Sequence, residues 1–293
     1  MRFNTGKELL ELCAARHCAV SAAMLGREEA LGGETPEALR ARMAHSYDIM
    51  RQAVHTARTQ EVRSMGGLIG GECRKMDARR AAGPVCGVLV SKAAGYAMGV
   101  LEVNASMGLI VAAPTAGSSG VLPGVLLALQ EEFGCGDERM VDALFNAGAV
   151  GYLISRNATV AGAEGGCQAE VGAASAMAAS AAVELAGGSP QQCLTAAGIA
   201  ITNILGLVCD PIGGLVEAPC QMRNAMGAAN ALTSAEIALA GCRCAVPFDE
   251  VVAAMYAVGK TLPASLRETA LGGIAAAPSA CAACGGCGQS AAQ

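Results

Sequence analysis

The chain has 293 residues, of which 53% are hydrophobic, 15% charged and 3% aromatic, with a formal net charge of -5. That composition can bury the core of one large domain or two small ones, and it excludes disorder over most of the length. Scattered acids and bases and the shortage of aromatic rings supply neither a basic groove nor a stacking platform, which argues against nucleic acid as a partner.

The N-terminal stretch carries Lys7, Glu8, Glu11 and Arg16 where a signal peptide needs an unbroken apolar run, so a cytoplasmic location is expected. Thr35-Pro36 opens a helix in which Leu39, Met43, Tyr47, Met50 and Val54 step by three or four residues and share one face. Asp137 stands before another, with Val141, Leu144, Phe145, Gly148 and Tyr152 in phase. Ser189-Pro190-Gln191-Gln192 combines an N-cap, a proline at the first helical position and a capping-box glutamine. That helix is expected to run through Leu194, Ala197, Ile201 and Ile204 and to end near Asp210-Pro211, leaving Cys209 at or just past its terminus. Pro219 and Pro247 are expected to start the next two helices.

Two uncharged stretches, 103–130 and 185–209, are long enough to raise a membrane reading. The first is broken by Pro114, Gly117, Ser118, Ser119, Gly120 and Pro123, and the second by Gly187 to Gln192 and Asn203, so both are read as buried interior. No membrane partner is expected. With β-branched alternation nearly absent, the expected fold is all-α: a compact helical catalytic domain over residues 1–278 with Gly/Pro-rich loops around its active site, followed by a Cys-rich tail, 279–293.

Fourteen cysteines are spread over a large, core-capable chain, which suits reduced thiols better than disulfides and leaves some available as ligands. Cys13, Cys18, Cys86, Cys135, Cys193, Cys242 and Cys244 sit in helical or mixed apolar context and are read as packing or surface residues; Cys73, flanked by charges, is read as exposed. Cys167, Cys209 and Cys220 differ, because each adjoins residues that break a helix or free backbone groups: GGCQ, CDPIGG and APCQ. Glycine turns and helix N-termini aim N–H donors that stabilise thiolates, and a joint metal site and three separate thiols both remain open on that chemistry alone.

The loop PTAGSSGVLP has the make-up of an anion cradle, with backbone N–H groups uncovered at Gly117 and Gly120 and hydroxyls on Thr115, Ser118 and Ser119; a tight connection between helices explains it too. Asn104 and Ser106 either serve the same pocket or cap a helix. Arg223, three residues after Cys220, either pairs with a substrate carboxylate or forms a structural ion pair with Glu217 or Glu164. Lys92 is the one lysine placed for a Schiff base on pyridoxal phosphate, but the strand-helix alternation of such folds is missing, which leaves it a charge role or solvation. His17, His45 and His55 are read as surface helix residues.

The segments EVNASMGLIVAAPTAGSSGVLPGVLLAL, AEGGCQAEVGAASAMA, LGLVCDPIGGLVEAPCQMRNAMGAANAL and SLRETALGGIAAAP resemble the α subunit of the iron-sulfur-dependent L-serine dehydratases, from about residue 5 to residue 278. The resemblance implies a [4Fe-4S] cluster held by Cys167, Cys209 and Cys220. It further implies an oxygen-sensitive lyase of amino-acid catabolism that takes L-serine to pyruvate and ammonia. Three thiolates leave one iron with an open coordination position, a Lewis acid for the hydroxyl and carboxylate of serine. In that setting Lys92, Ser118, Ser119 and Arg223 are the candidate catalytic residues, and Asn104, Ser106, Thr115, Gly117 and Gly120 the candidate substrate-binding ones.

Single-chain members of the family carry a further domain with an SSHT-type segment. This sequence has none, so a separate β subunit bringing the proton-transfer residue is expected, with higher oligomers open. Cys281, Cys284 and Cys287 depart from the family as C-x-x-C-x-x-C, either a dispensable metal-binding tail or a source of a thiol that caps the open iron. Two other readings stand beside the leading one: an L-cysteine desulfidase of similar architecture, and an iron-sulfur or zinc redox protein built on that C-terminal triplet.

Overall fold

The computed structural model describes residues 2–283, which form helices α1 (Gly6–Arg16), α2 (Val20–Gly32), α3 (Pro36–Thr59), α4 (Glu72–Ala81), α5 (Val88–Ala105), α6 (Val121–Phe133), α7 (Asp137–Asn157), α8 (Gly162–Gly165), α9 (Ala173–Leu185), α10 (Pro190–Asn203), α11 (Cys220–Leu239), α12 (Phe248–Thr261) and α13 (Pro278–Ala283). Among the described residues there is no strand, only an isolated bridge between Cys209 and Arg267. No single helix among them is long and apolar enough to cross a membrane.

Local signals explain where the helices start. Thr35 accepts the Ala38 N–H at 3.3 Å and Pro36 occupies the first turn of α3, whose buried face carries Leu39, Tyr47, Met50 and Val54. Ser189 and Gln192 exchange both bonds of a capping box at α10. Gly136, not Asp137, caps α7; Asp137 and Glu138 lie in its first turn, where their charges complement the helix dipole. Pro219 and Pro247 precede α11 and α12 as expected.

Helix α9 is the axis of the molecule. It is buried at every position except Glu184, and its alanines and serines let α6, α7, α10 and α11 pack directly against it. Helix α5 lies across α6 and α11, with α3 and α4 outside it; α2 covers α7, and α12 covers α10. The site is built where the N-terminal ends of α9 and α11 meet the loop before α6.

Two expectations are corrected here. Helix α10 stops at Asn203, well short of Asp210: Ile204 leaves helical geometry, Gly206 turns at φ 86°, and Cys209 is paired in extended backbone. Cys73 is fully buried, because on α4 it faces α5 at Gly99, where an added Cβ would lie 2.9 Å from its sulfur; its charged neighbours point the other way. His17, His45 and His55 are exposed.

Candidate functional site

Cys167 follows Gly165-Gly166 and opens a five-residue π-helical turn, Gln168–Gly172, that leads into α9. Such turns are rare and concentrate at functional sites. Gly166 adopts φ 74°, and a Cβ there would strike the Leu207 carbonyl at 2.7 Å, so the chain passes the 204–209 loop as closely as backbone allows. Gln168 locks the two together: its backbone N–H donates to Leu207 O (2.9 Å), its side-chain oxygen accepts the Gly206 N–H (2.8 Å), and its side-chain amide donates to Met255 O on α12 (3.0 Å).

Cys209 is held from the far end of the chain, with its N–H donating to Leu266 O (2.9 Å) and its carbonyl accepting the Glu268 N–H (2.7 Å). Cys220 is the first residue of α11, and its carbonyl accepts the Asn224 side-chain amide at 2.9 Å. All three thiols are buried, with exposures of 2%, 2% and 7% in chain order.

The sulfurs of Cys167 and Cys209 and a carboxylate oxygen of Glu170 lie within 4.8 Å of one another, a donor set that can hold a metal ion. Glu170 Oε2 sits 3.9 Å from Cys167 Sγ and 3.7 Å from Cys209 Sγ. Burial pushes Cys220 up to about 12, and the Cys167 and Glu170 charges push the same way, which places the third thiol in the same field. Contact with Cys167 followed by burial raises Cys209. Burial also raises Glu170, against the bond it receives from Thr115.

The loop before α6 closes over this group. Thr115 Oγ1 donates to Glu170 Oε1 at 2.8 Å and lies 3.0 Å from Ser118 Oγ. A Cβ on Gly117 would stand 3.2 Å from Glu170 Oε1. Asn224 fastens the loop to α11, accepting the Gly120 N–H at 3.0 Å and donating to Gly117 O at 2.7 Å. Gly120 is packed so tightly that a Cβ would come within 2.1 Å of Ala97 O on α5. Ser118 and Ser119 are fully buried, and Ser119 donates to Ala116 O (2.8 Å), a bond internal to the loop.

The other sequence-predicted residues divide. Asn104 joins the loop, donating to Ala116 O at 3.4 Å, whereas Ser106 caps α5 by donating to Val103 O at 2.9 Å. Arg223 reaches the thiols: its Nη1 is 3.6 Å from Cys167 Sγ, donates to Val208 O at 2.9 Å and forms an ion pair with Asp210 at 2.7 Å. The expected partners are engaged elsewhere. Glu217 accepts from Ser64 Oγ, Gly66 N and Leu68 N, and Glu164 pairs with Lys260. Lys92 is ion-paired with Glu131 at 2.8 Å, twelve residues before Asn104 on the same helix and therefore about 18 Å along its axis.

Glu170, Asn224, Asp210 and Gln168 were not singled out from sequence. Spacing was the available signal for two of them, since Glu170 follows Cys167 by three residues and Asn224 follows Cys220 by four. Surface cavities of about 540 and 690 Å³ flank α1 and contain none of these residues. Of the C-terminal triplet, Cys281 donates to Ala275 O at 3.8 Å, and Cys284 and Cys287 lie outside the described residues.

Residues 10–275 match the family model described as serine dehydratase alpha chain. The chain is 47% identical over 277 residues to a protein of Bacillus subtilis named "Probable L-serine dehydratase, alpha chain", covering 94% of this chain and 92% of that one. It is 44% identical over 273 residues to the L-serine dehydratase alpha chain of Peptoniphilus asaccharolyticus, covering 93% and 94%. The L-serine dehydratase of Streptomyces coelicolor is 39% identical over 280 residues, covering 93% of this chain and 60% of its own length. A match over nearly the whole chain shows that the chain belongs to the serine dehydratase alpha chain family.

Proposed function

We propose that this chain is the α subunit of an iron-sulfur L-serine dehydratase, a lyase that converts L-serine to pyruvate and ammonia, with Cys167, Cys209 and Cys220 holding a [4Fe-4S] cluster. The observation that carries the reading is the meeting of the buried Cys167 and Cys209 thiols and the Thr115–Gly120 loop across a single carboxylate, Glu170, with Cys220 buried at the start of α11. The donor set suits the group: thiolates are the usual ligands of such clusters. The space beside them is kept free by Gly162, whose added Cβ would stand 2.5 Å from Glu170 and 3.1 Å from Cys209 Sγ. When bound, a cluster held at three corners supplies an iron with an open position, a Lewis acid for a hydroxyl and a carboxylate.

The chain's own residues supply positioning. Thr115 and the loop backbone at Ala116 and Gly117 suit a carboxylate, the N–H groups of Ser118, Ser119 and Gly120 being taken up by Thr115 O, Ala116 O and Asn224 Oδ1. Ser119 and Asn224 hold that loop in shape. Arg223, committed to Asp210 and Val208 O, holds the Cys167 thiol in a positive field and leaves carboxylate binding to the loop. Lys92, tied to Glu131, serves the α5–α6 contact.

A separate β subunit completes the enzyme in this reading, which the alpha-chain names of the relatives support. Four large apolar side chains are exposed on and beside α5 and α11: Met65, whose N–H donates to Ala105 O, Met107, Leu109 and Met222. Exposed apolar side chains of this kind suit burial against a partner chain. The test is anaerobic reconstitution with iron and sulfide, with and without the β chain, followed by a serine-dependent pyruvate assay. Iron bound through Cys167, Cys209 and Cys220 with pyruvate formed supports the reading; iron uptake unaffected by replacing each of these cysteines overturns it.

A further inference from the structure

Helix α1 ends in a turn that pairs two thiols. Beyond Arg16, His17 takes φ 50° and ψ 45°, its N–H donates to Ala14 O at 3.4 Å, and the Cys18 N–H donates to Cys13 O at 3.1 Å. One bond nested inside the other around a left-handed residue is the Schellman ending of a helix, and it brings together the side chains at its two outer positions, usually an apolar pair. Here both outer positions are cysteines. Backbone closed by such a bond holds its two Cα atoms within the reach of a disulfide, which spans about 4.4–6.8 Å between them.

The two thiols meet and differ in access. Burial raises Cys13 to about 12, and Cys18 adds to this through its charge and through a hydrogen bond between the two side chains. Cys13 is 2% exposed, whereas Cys18 is half-buried, and both line the cavity of about 690 Å³ beside α1, together with His17 and Ser189. A third sulfur, Cys193 on α10, lies deeper: it is 1% exposed and accepts the Asn146 side-chain amide at 3.7 Å. The turn thus offers one thiol to solvent with a second directly behind it, the arrangement of a dithiol that exchanges with a disulfide. None of these sulfurs belongs to the group around Glu170.

We propose that Cys13 and Cys18 form a thiol–disulfide exchange site that takes a low-molecular-weight disulfide of the glutathione class as its co-reactant and stores the oxidation as an internal bridge. Cys18 loses its proton to solvent and attacks one sulfur of the small disulfide; that molecule's S–S bond breaks, and one small thiolate leaves and takes up a proton. Cys13 then loses its proton and attacks Cys18 Sγ, the mixed disulfide breaks, and the second small thiolate leaves and is protonated in turn. The protein gives up two hydrogens and two electrons, and the small disulfide receives both and becomes two thiols.

The test uses the full-length chain, kept free of oxygen, with oxidised glutathione as the probe, followed by acid quenching, alkylation and tryptic peptide mapping. Trypsin cuts after Arg16, so a bridge is read as two peptides joined. The expected course is a mixed disulfide on Cys18 at early times, then a Cys13–Cys18 bridge in most molecules, reversed by dithiothreitol. Cys86, exposed just before α5, is the internal comparison and is expected to stop at the mixed disulfide. Cys13→Ser is expected to prolong the Cys18 mixed disulfide by about tenfold or more, and Cys18→Ser to leave Cys13 unmodified over the same time. Thermal melting checks that each variant is folded, and the peptides of the parent protein decide the matter without them. A parent mixed disulfide on Cys18 that never converts, a bridge from Cys18 to Cys193, or Cys13 modified as fast without Cys18 as with it would each overturn the assignment.

Discussion

Arg223 and Asp210 form an ion pair at 2.7 Å with Asp210 only 2% exposed, while the remaining Arg223 Nη1 contacts go to Val208 O and Cys167 Sγ. Asp210 also accepts the Ile274 N–H at 2.6 Å, so one carboxylate joins α11 to the C-terminal segment. Removing one member of a buried pair leaves the other charge uncompensated, which costs about 3–5 kcal/mol. Asp210→Ala is expected to lower stability by that order in urea unfolding and to reduce the iron bound per chain; replacing the exposed Asp48 is expected to do neither.

The thiols set a pH dependence. Cys220 rises from 9.0 to about 12 in the fold, chiefly by burial, so the protonated form is favoured in the native state. The stability this contributes is complete below pH 9 and is lost as pH climbs toward 12. Cys13, Cys73 and Cys193, also raised to about 12 mainly by burial, act in the same direction. Metal-free protein is therefore expected to weaken steadily across that window, as read by urea midpoints at stepped pH. Because a metal held by Cys220 must displace its thiol proton, loading near neutrality is expected to release protons, measurable by titration calorimetry in buffers of different ionisation enthalpy.

Glu170 lies among the thiols and contributes to raising Cys209 and Cys220. Glu170→Gln keeps an acceptor for Thr115 and removes the charge. Both thiols of the metal-free protein are then expected to react faster with iodoacetamide at pH 8, by severalfold, because the thiolate fraction grows as the pKa falls. Peptide mapping of the alkylated protein reads this site by site.

Gly120 has no room for a side chain. A methyl group there would meet Ala97 O at 2.1 Å, and backbone cannot retreat as a side chain can. Gly120→Ala is expected to destabilise the protein by about 1–3 kcal/mol and to disturb the Asn224 bond that holds the loop.

Ser189→Ala serves as the contrast. It removes the capping box of α10, at a cost of about 1 kcal/mol, far from the thiols. Lower thermal stability with unchanged iron content and unchanged pyruvate formation is the expected result.

The sequence disclosed whatever depends on neighbours along the chain. Thr35-Pro36 and the Ser189 box acted as written, because capping is settled within four residues. Cys167, Cys209 and Cys220 stood out through the glycines and prolines beside them. What stayed hidden depends on distant partners. The pairing of Cys209 with Leu266 and Glu268 has no local signature, so its neighbours along the chain point only to a helix end. The charged neighbours of Cys73 point to exposure, whereas the surface that buries it, Gly99 on α5, lies in another segment. The role of Glu170 as the bridge from thiols to Thr115 emerges only when the loop before α6 is folded onto the π-helical turn.

The bridge between Cys209 and Arg267 also orders events in time. By the point at which a growing chain has exposed all three site cysteines, the backbone that shapes the middle one has yet to be synthesised, since Leu266 and Glu268 come after the whole of α11 and α12. The nascent polypeptide thus carries its thiols before it carries their enclosure, and the native arrangement around Cys209 belongs to the late stage of synthesis.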